Sequence, residues 1–263
     1  MKNTTKFCVL IPLFLSLICA SLNNVEAQTI VIFETNLGQI QIELFDDTRP
    51  ISVANFLGYV QRGDYDGTLF HRNQSAATQN IGIVQAGGFM TDSIPITRLA
   101  PIVNEAATNP NPLNTRGTIA YARTNVLDSA TSEFFFNTTD NPDLDGQIFT
   151  VFGQVVSGMD VVDQIQALDV IVATGATMTF FDLPVIDVNA PNIVDPTNLV
   201  TLISATAVTR GDVNLDMVVD FFDIAPFIAL LSVKEFQAEA DIDLDGVVDF
   251  FDIAPFIEIL ANP

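Results

Sequence analysis

The chain has no tryptophan, one histidine and ten basic side chains among its 263 residues. Each shortage excludes something. A nucleic-acid partner needs a basic footprint, and a formal net charge of -22 is the opposite. The lone histidine, His71, has no companion groups that would make a triad for general-base chemistry, so it reads as structural. Both cysteines, Cys8 and Cys19, fall near the start, which leaves the rest of the chain without disulfide or thiol chemistry. Charged residues are 16% of the chain against a typical ~25%. The few charges are thus nearly all acidic, which suits a self-repelling soluble surface or a cation ligand.

What is present begins with an export pattern. Lys2 and Lys6 precede an apolar run, Phe7–Ala20, that is shorter than the ~20 residues of a bilayer span. Val25-Glu26-Ala27 supplies small residues for cleavage before Gln28. Residues 1–27 therefore read as a secretory signal peptide, with an uncleaved anchor as the alternative. After cleavage no segment could span a membrane. Export without cysteines points to the periplasm, cell surface or exterior of a bacterium.

Thr29–Thr35 and Gln39–Phe45 alternate apolar and polar residues, as half-buried strands do, with Asn36-Leu37-Gly38 as the turn. Thr48-Arg49-Pro50 opens a helix, with Thr48 as a candidate cap and Val53, Phe56, Leu57 and Val60 on one face. Apolar strands follow near 67–71, 81–86, 117–122, 133–137 and 149–156, then a helix near 159–168 and a closing strand, Asn198–Val208. The Pro- and Asn-bearing stretch 170–197 reads as a long loop. Many short strands with two helices suggest a closed barrel, because closure removes exposed edges.

A series of short motifs runs through this region in order. It comprises Asp66-Gly67-Thr68-Leu69-Phe70-His71-Arg72, Val84-Gln85-Ala86-Gly87-Gly88-Phe89, Asn104-Glu105-Ala106, Arg116–Arg123, Ser132-Glu133-Phe134-Phe135-Phe136-Asn137 and Val151-Phe152-Gly153. The series resembles the cyclophilin family of peptidyl-prolyl isomerases over roughly residues 29–208. The resemblance implies an eight-stranded antiparallel barrel with a helix over each end.

Isomerising an X-Pro bond means twisting an amide whose barrier is about 18–20 kcal/mol. No bond breaks, so no nucleophile, acid or metal is needed. The twisted nitrogen becomes a better acceptor, and a fixed cationic donor aimed there favours that state over the planar one. Arginine stays charged and offers five donors in a rigid fork. The resemblance gives this role to Arg72, backbone holding to Gln85 and the proline pocket to Phe135. It places Phe70, Ala122, Arg123, Glu133, Leu144 and Phe149 around the substrate. Glu133 stands where the family has glutamine and could pair with Arg72 or Arg123. Asp143 stands where a tryptophan occurs in the members best known for binding cyclosporin. A second pocket phenylalanine belongs near Gly82 or Ile83. Residues 73–80 are an insertion beside Arg72.

Residues 211–260 contain a duplication. Asp220–Ile228 recurs letter for letter at Asp249–Ile257. Each copy ends an acidic dozen with oxygen side chains at positions 1, 3, 5, 9 and 12. These are Asp212, Asn214, Asp216, Asp220 and Asp223, then Asp241, Asp243, Asp245, Asp249 and Asp252. That is calcium-loop spacing, in which position 7, here Val218 and Val247, adds a carbonyl. Loop 1 has Met217 where loop 2 has Gly246, which predicts weaker calcium binding in loop 1. Ile224, Phe227, Ile228 and Leu231 form one helical face, mirrored by Ile253, Phe256, Ile257 and Leu260. Loops followed by helices resemble the dockerin module, which implies a cohesin-like partner. The doubled Phe221-Phe222 and Phe250-Phe251 are either a docking face or core.

The expectation is a mainly β chain in three parts: signal peptide 1–27, cyclophilin-like domain 28–208 and dockerin-like domain 209–263. It has a closed eight-stranded antiparallel barrel capped by two helices, plus a small α-helical calcium-loop pair. The function expected is an exported isomerase acting on proline-containing client polypeptides, tethered through the tail, with Ca2+ structural and no cofactor for catalysis. The second reading keeps the barrel for binding proline segments without turnover.

Overall fold

A computed structural model describes residues 28–107, 112–190, 194–216, 218–233 and 235–261. The expected signal peptide and Met217 lie outside the described residues. The elements in order are β1 (Thr29–Thr35), β2 (Gly38–Leu44), α1 (Pro50–Gln61), β3 (Thr68–Leu69), β4 (Arg72–Gln74), α2 (Ala76–Gln79), β5 (Ile83–Ala86), β6 (Thr118–Tyr121), β7 (Phe134–Asn137), α3 (Pro142–Gly146), β8 (Val151–Ser157) and α4 (Met159–Ala167). They continue with β9 (Asp169–Thr174), β10 (Thr179–Val185), β11 (Thr201–Thr209), α5 (Ile224–Val233) and α6 (Ile253–Ala261).

The β1–β2 hairpin forms where the alternation predicts it. Thr35 Oγ1 donates to the Gly38 carbonyl at 2.7 Å, and Gly38 takes a φ of +142° that closes the turn. α1 begins at Pro50, whose missing N–H is no loss in a first turn. Thr48 is not its cap: Arg49 holds that position without a side-chain capping bond. Instead Glu105 accepts from the backbone N–H groups of Ile51 at 3.1 Å and Ser52 at 2.7 Å. The motif Asn104-Glu105-Ala106 thus supplies an anion to the helix's positive, unsatisfied end.

One antiparallel sheet follows the order β3-β11-β1-β2-β8-β6-β7-β5-β4. It is a curled nine-strand sheet, which corrects the closed eight-stranded barrel expected. Its two edge strands, β3 and β4, have no ladder between them. They are consecutive in the chain, on either side of Phe70–His71. Phe70 N–H donates to Val200 O at 2.9 Å, and His71 N–H donates to Gln85 O at 3.0 Å. A single bent segment therefore serves one neighbour with its first half and another with its second. α1 packs across β11, and α4 across β2 and β5.

The missing tryptophan is made up by phenylalanine. Phe33, Phe56, Tyr65, Phe134, Phe136 and Phe152 are fully buried inside the curl, and their rings meet at 5.0–6.3 Å in tilted and edge-on pairs. Such pairs add about 0.5–1.5 kcal/mol each beyond area burial.

Two segments differ from expectation. The stretch 170–197 is no simple loop: β9 and β10 form a separate two-stranded sheet. Proline argued against a strand there. Yet Pro184 pairs with Val170 in a two-stranded ribbon, where an edge always remains for a residue lacking its N–H. Phe180, Leu183 and Val185 bury this hairpin against Leu69, Phe89 and Leu199. The insertion 73–80 is half strand and half helix. α2 is capped by Ser75, whose Oγ accepts from Ala77 N–H at 3.3 Å, and ends on Asn80 at a φ of +63°.

After β11, residues 213–260 make their own small core of Val213, Phe227, Ala240, Ile242, Val248, Phe256 and Ile259, with Phe227 and Phe256 stacked at 4.3 Å. The expected helical faces are corrected at Ile228 and Ile257, which are 58% and 59% exposed, while Ile259 is fully buried. Helices this short cover only one narrow stripe. The link to the sheet runs through Arg210, whose buried guanidinium meets Glu43 at 3.0 Å. Among the described residues no helix is long and apolar enough to cross a membrane.

Candidate active site

Strand register builds the site. Arg72 lies opposite Gln85, Gln85 opposite Phe135, and Phe135 opposite Ala120, so four strands place one row of residues side by side. Directly opposed residues share a sheet face. The row opens onto a cavity of about 370 Å³. Arg72, Gln85, Ala122, Arg123, Phe135, Leu144 and Phe149 all line it. Phe135 and Phe149 meet edge to face at 5.7 Å, and a small apolar cluster with Ile83, Ala120, Leu144 and Val151 backs them.

Two expected substrate residues lie elsewhere. Phe70 is fully buried in the main core, because the bend at Phe70–His71 turns its ring inward. Glu133 lines an adjoining groove of about 180 Å³, which shares Gln85, Ala122 and Arg123 with the cavity. Its carboxylate pairs with neither Arg72 nor Arg123. It accepts from Gln85 Nε2 at 2.8 Å and from Arg98 Nη2 at 2.9 Å, and stands 3.4 Å from His71 Nε2. Burial raises the Glu133 carboxyl, but the His71 contact, Arg98 and Gln85 outweigh it and hold it below the usual carboxylate range. His71 is packed between Phe89 and Phe180, consistent with a structural part.

Arg72 Nη1 donates to Gln85 Oε1 at 3.2 Å, so the carboxamide links Arg72 to Glu133. Burial lowers the Arg72 pKa while Asp182 and Glu133 oppose it. A guanidinium remains charged at neutral pH regardless. Arg123 spreads over the Phe149 ring at 4.5 Å and donates to the carbonyls of Thr124 and Gln147. It therefore stiffens the pocket rim.

Several participants escaped sequence reading. Gln79, Asn80 and Ile81 line the cavity from the insertion side, and Gln147 from the end of α3. Asp182 reaches Arg72 from β10, and Arg98 reaches Glu133 from an irregular segment. These contacts span more than a hundred residues in one case and carry no local pattern.

In the acidic repeat, carboxylate oxygens of Asp241, Asp243 and Asp252 lie within 4.8 Å of one another. Asp241 Oδ1 is buried without a hydrogen-bond partner among the described residues. Burial and the neighbouring carboxylates push Asp241 up to about 6. An all-oxygen, strongly anionic set with an orphaned buried oxygen fits a hard cation. Asp223 and Asp252 also close capping boxes with Asp220 and Asp249. In loop 1, among the described residues, no such three-carboxylate group forms. Gly246 takes a φ of +87° at position 6 of loop 2; its counterpart Met217 lies outside the described residues. Phe221, Phe222, Phe250 and Phe251 are 77%, 75%, 78% and 70% exposed, so the doubled phenylalanines are not core.

A family model, cyclophilin type peptidyl-prolyl cis-trans isomerase/CLD, matches residues 30–181. A peptidyl-prolyl cis-trans isomerase of Acinetobacter baylyi is 48% identical over 144 residues, covering 53% of this chain and 72% of the relative. Peptidyl-prolyl cis-trans isomerase B of Escherichia coli is 43% identical over 165 residues, 60% of this chain and 94% of its own. Among solved structures, a cyclophilin type isomerase of Cryptosporidium parvum aligns over 69% of this chain and 98% of its own, at 20% identity and a TM-score of 0.49. The chain belongs to the cyclophilin-type peptidyl-prolyl isomerases. Its activity is accordingly peptidyl-prolyl cis-trans isomerisation.

Proposed function

We propose that Arg72 is the donor that stabilises the twisted prolyl amide, in a pocket floored by Phe135 and walled by Leu144 and Phe149. The observation that carries this is the row Arg72–Gln85–Phe135, which brings a cation, an amide and an aromatic floor onto one cavity. The proline ring rests on Phe135, out of water. Gln85 holds both Arg72 and the substrate backbone. As the amide twists, its nitrogen gains a lone pair and Arg72 donates to it. No proton is transferred and no covalent intermediate forms. The test is isomerisation of an Ala-Pro peptide by the full chain with Arg72→Ala alongside. Unchanged turnover in the variant would remove the arginine from the mechanism.

We further propose that the enzyme is exported and held in place by residues 209–263 as a calcium-dependent, dockerin-like module facing a cohesin-like partner. Its clients are proline-containing polypeptides whose slow folding step is X-Pro isomerisation. Asp241, Asp243, Asp245, Asp249 and Asp252 would hold calcium in loop 2, and Asp212, Asn214, Asp216, Asp220 and Asp223 in loop 1. The ion's part there is to neutralise carboxylates that otherwise repel. Support comes from the two loops in register, the buried unpartnered Asp241 oxygen and the exposed phenylalanine pairs. Calorimetric titration with calcium tests it, and an absence of heat at millimolar calcium would count against the module.

A further inference from the structure

The two segments that depart from a compact barrel meet at one carboxylate. Gln74 Nε2 donates to Asp182 Oδ2 at 3.2 Å, and Gln79 Nε2 donates to Asp182 Oδ1 at 3.2 Å. The same Oδ2 stands 4.0 Å from Arg72 Nε. Asp182 is carried by β10, which packs against β4, the strand of Arg72 and Gln74. Gln79 comes from α2 and also lines the cavity.

Two of the three Arg72 nitrogens therefore face a partner: Nη1 donates to Gln85, and Nε stands at ion-pair distance from Asp182. Nη2 has no partner among the described residues. The Arg72 side chain is 42% exposed. Left to itself, a half-exposed arginine samples many rotamers, and ordering it costs conformational entropy. Donation to a nitrogen that becomes an acceptor only in the twisted state requires a donor already aimed. Asp182 is itself ordered, since both its oxygens accept from glutamine amides on the strand and helix it faces.

We propose that Asp182 is a positioning residue for the isomerase reaction: its carboxylate holds Arg72 through Nε and leaves Nη2 for the substrate amide. The hairpin β9–β10 and the insertion 73–80 then serve the site together, one supplying the carboxylate and the other the amides that fix it. The proposal rests on Arg72 being the donor.

The test compares Asp182→Ala and Asp182→Asn in the full chain, in wild-type and Arg72→Ala backgrounds, on an Ala-Pro peptide. In the wild-type background kcat falls roughly two- to fivefold, the size of a half-exposed ion pair, while KM is unchanged. Asp182→Glu recovers part of the loss. In the Arg72→Ala background the same change has no further effect, because the two residues act through one guanidinium. The Arg72 Nε–H resonance shifts in Asp182→Ala. Full kcat in both Asp182 variants would overturn the proposal, and so would an equal loss in both backgrounds, which marks a role in the fold alone. Full activity in Arg72→Ala would overturn the donor reading and the proposal with it. Should Asp182→Ala not fold, Asp182→Asn decides by the same criteria.

Discussion

The curled sheet and the acidic tail solve the same problem in opposite ways. In the sheet, order comes from burial: nine aromatic rings join one interior and the buried carboxylates are partnered. Glu105 caps a helix, Glu133 is held by Gln85 and Arg98, and Glu43 meets Arg210. In residues 209–263 twelve acidic side chains face two basic ones. Their core is five aliphatic side chains and two stacked rings, and among the described residues one buried carboxylate oxygen goes unpartnered. The difference teaches where a ligand matters. The sheet meets its buried carboxylates with its own donors. The tail is arranged around charge that its own side chains leave uncompensated.

The sharpest way to break this comparison is to remove one ring from each core. Phe33→Ala costs the sheet about 3–5 kcal/mol, the usual range for a buried phenylalanine, and leaves the tail's transition in place. Phe227→Ala collapses the tail while isomerase activity persists. Calorimetry with a parallel activity assay checks both, and a single joint transition in either variant would show that the two regions are not separate. Next in size is calcium. At a hundredfold excess over Kd it stabilises the tail by about 2.7 kcal/mol and leaves the sheet's melting point unmoved. Asp241→Asn removes that shift, as thermal melts with and without chelator will show.

Arg72→Ala is expected to lower kcat/KM roughly a hundredfold, as loss of a preorganised donor does, with melting unchanged. A smaller effect is expected at Glu133. Its folded pKa lies below the ordinary value, so its stabilisation is complete above the unfolded value of about 4.3 and is lost as pH falls through the lower folded one. Glu133→Gln then costs on the order of 1 kcal/mol at pH 7 and flattens the acid limb of a stability-against-pH curve. The smallest change is Phe221→Ser with Phe222→Ser. These exposed rings carry little folding energy, within about 0.5 kcal/mol, so urea melts should match wild type while capture of a partner is lost.

Much of this was legible from residues alone. Period-two alternation marked β1 and β2, and helical spacing marked α1 and α4, because each pattern reports which face is buried. Arg72, Gln85 and Phe135 were legible through motif order. Asp182 was hidden in a stretch that Pro184 made look like loop, and Arg98 in a segment with no periodicity. The placement of Phe70 failed differently: its motif position said pocket, and one bend in the strand sent it to the core.

The sequence by itself determined the strand and helix faces, the chemistry available to the site and the acidic repeat, since these depend on local spacing and residue type. Only the tertiary structure decided that the sheet curls through a bent edge rather than closing, that Glu133 belongs to Arg98, and that Asp182 meets Arg72. Those outcomes depend on register and on contacts between distant segments. They are settled by which strands pair, and local sequence does not encode pairing.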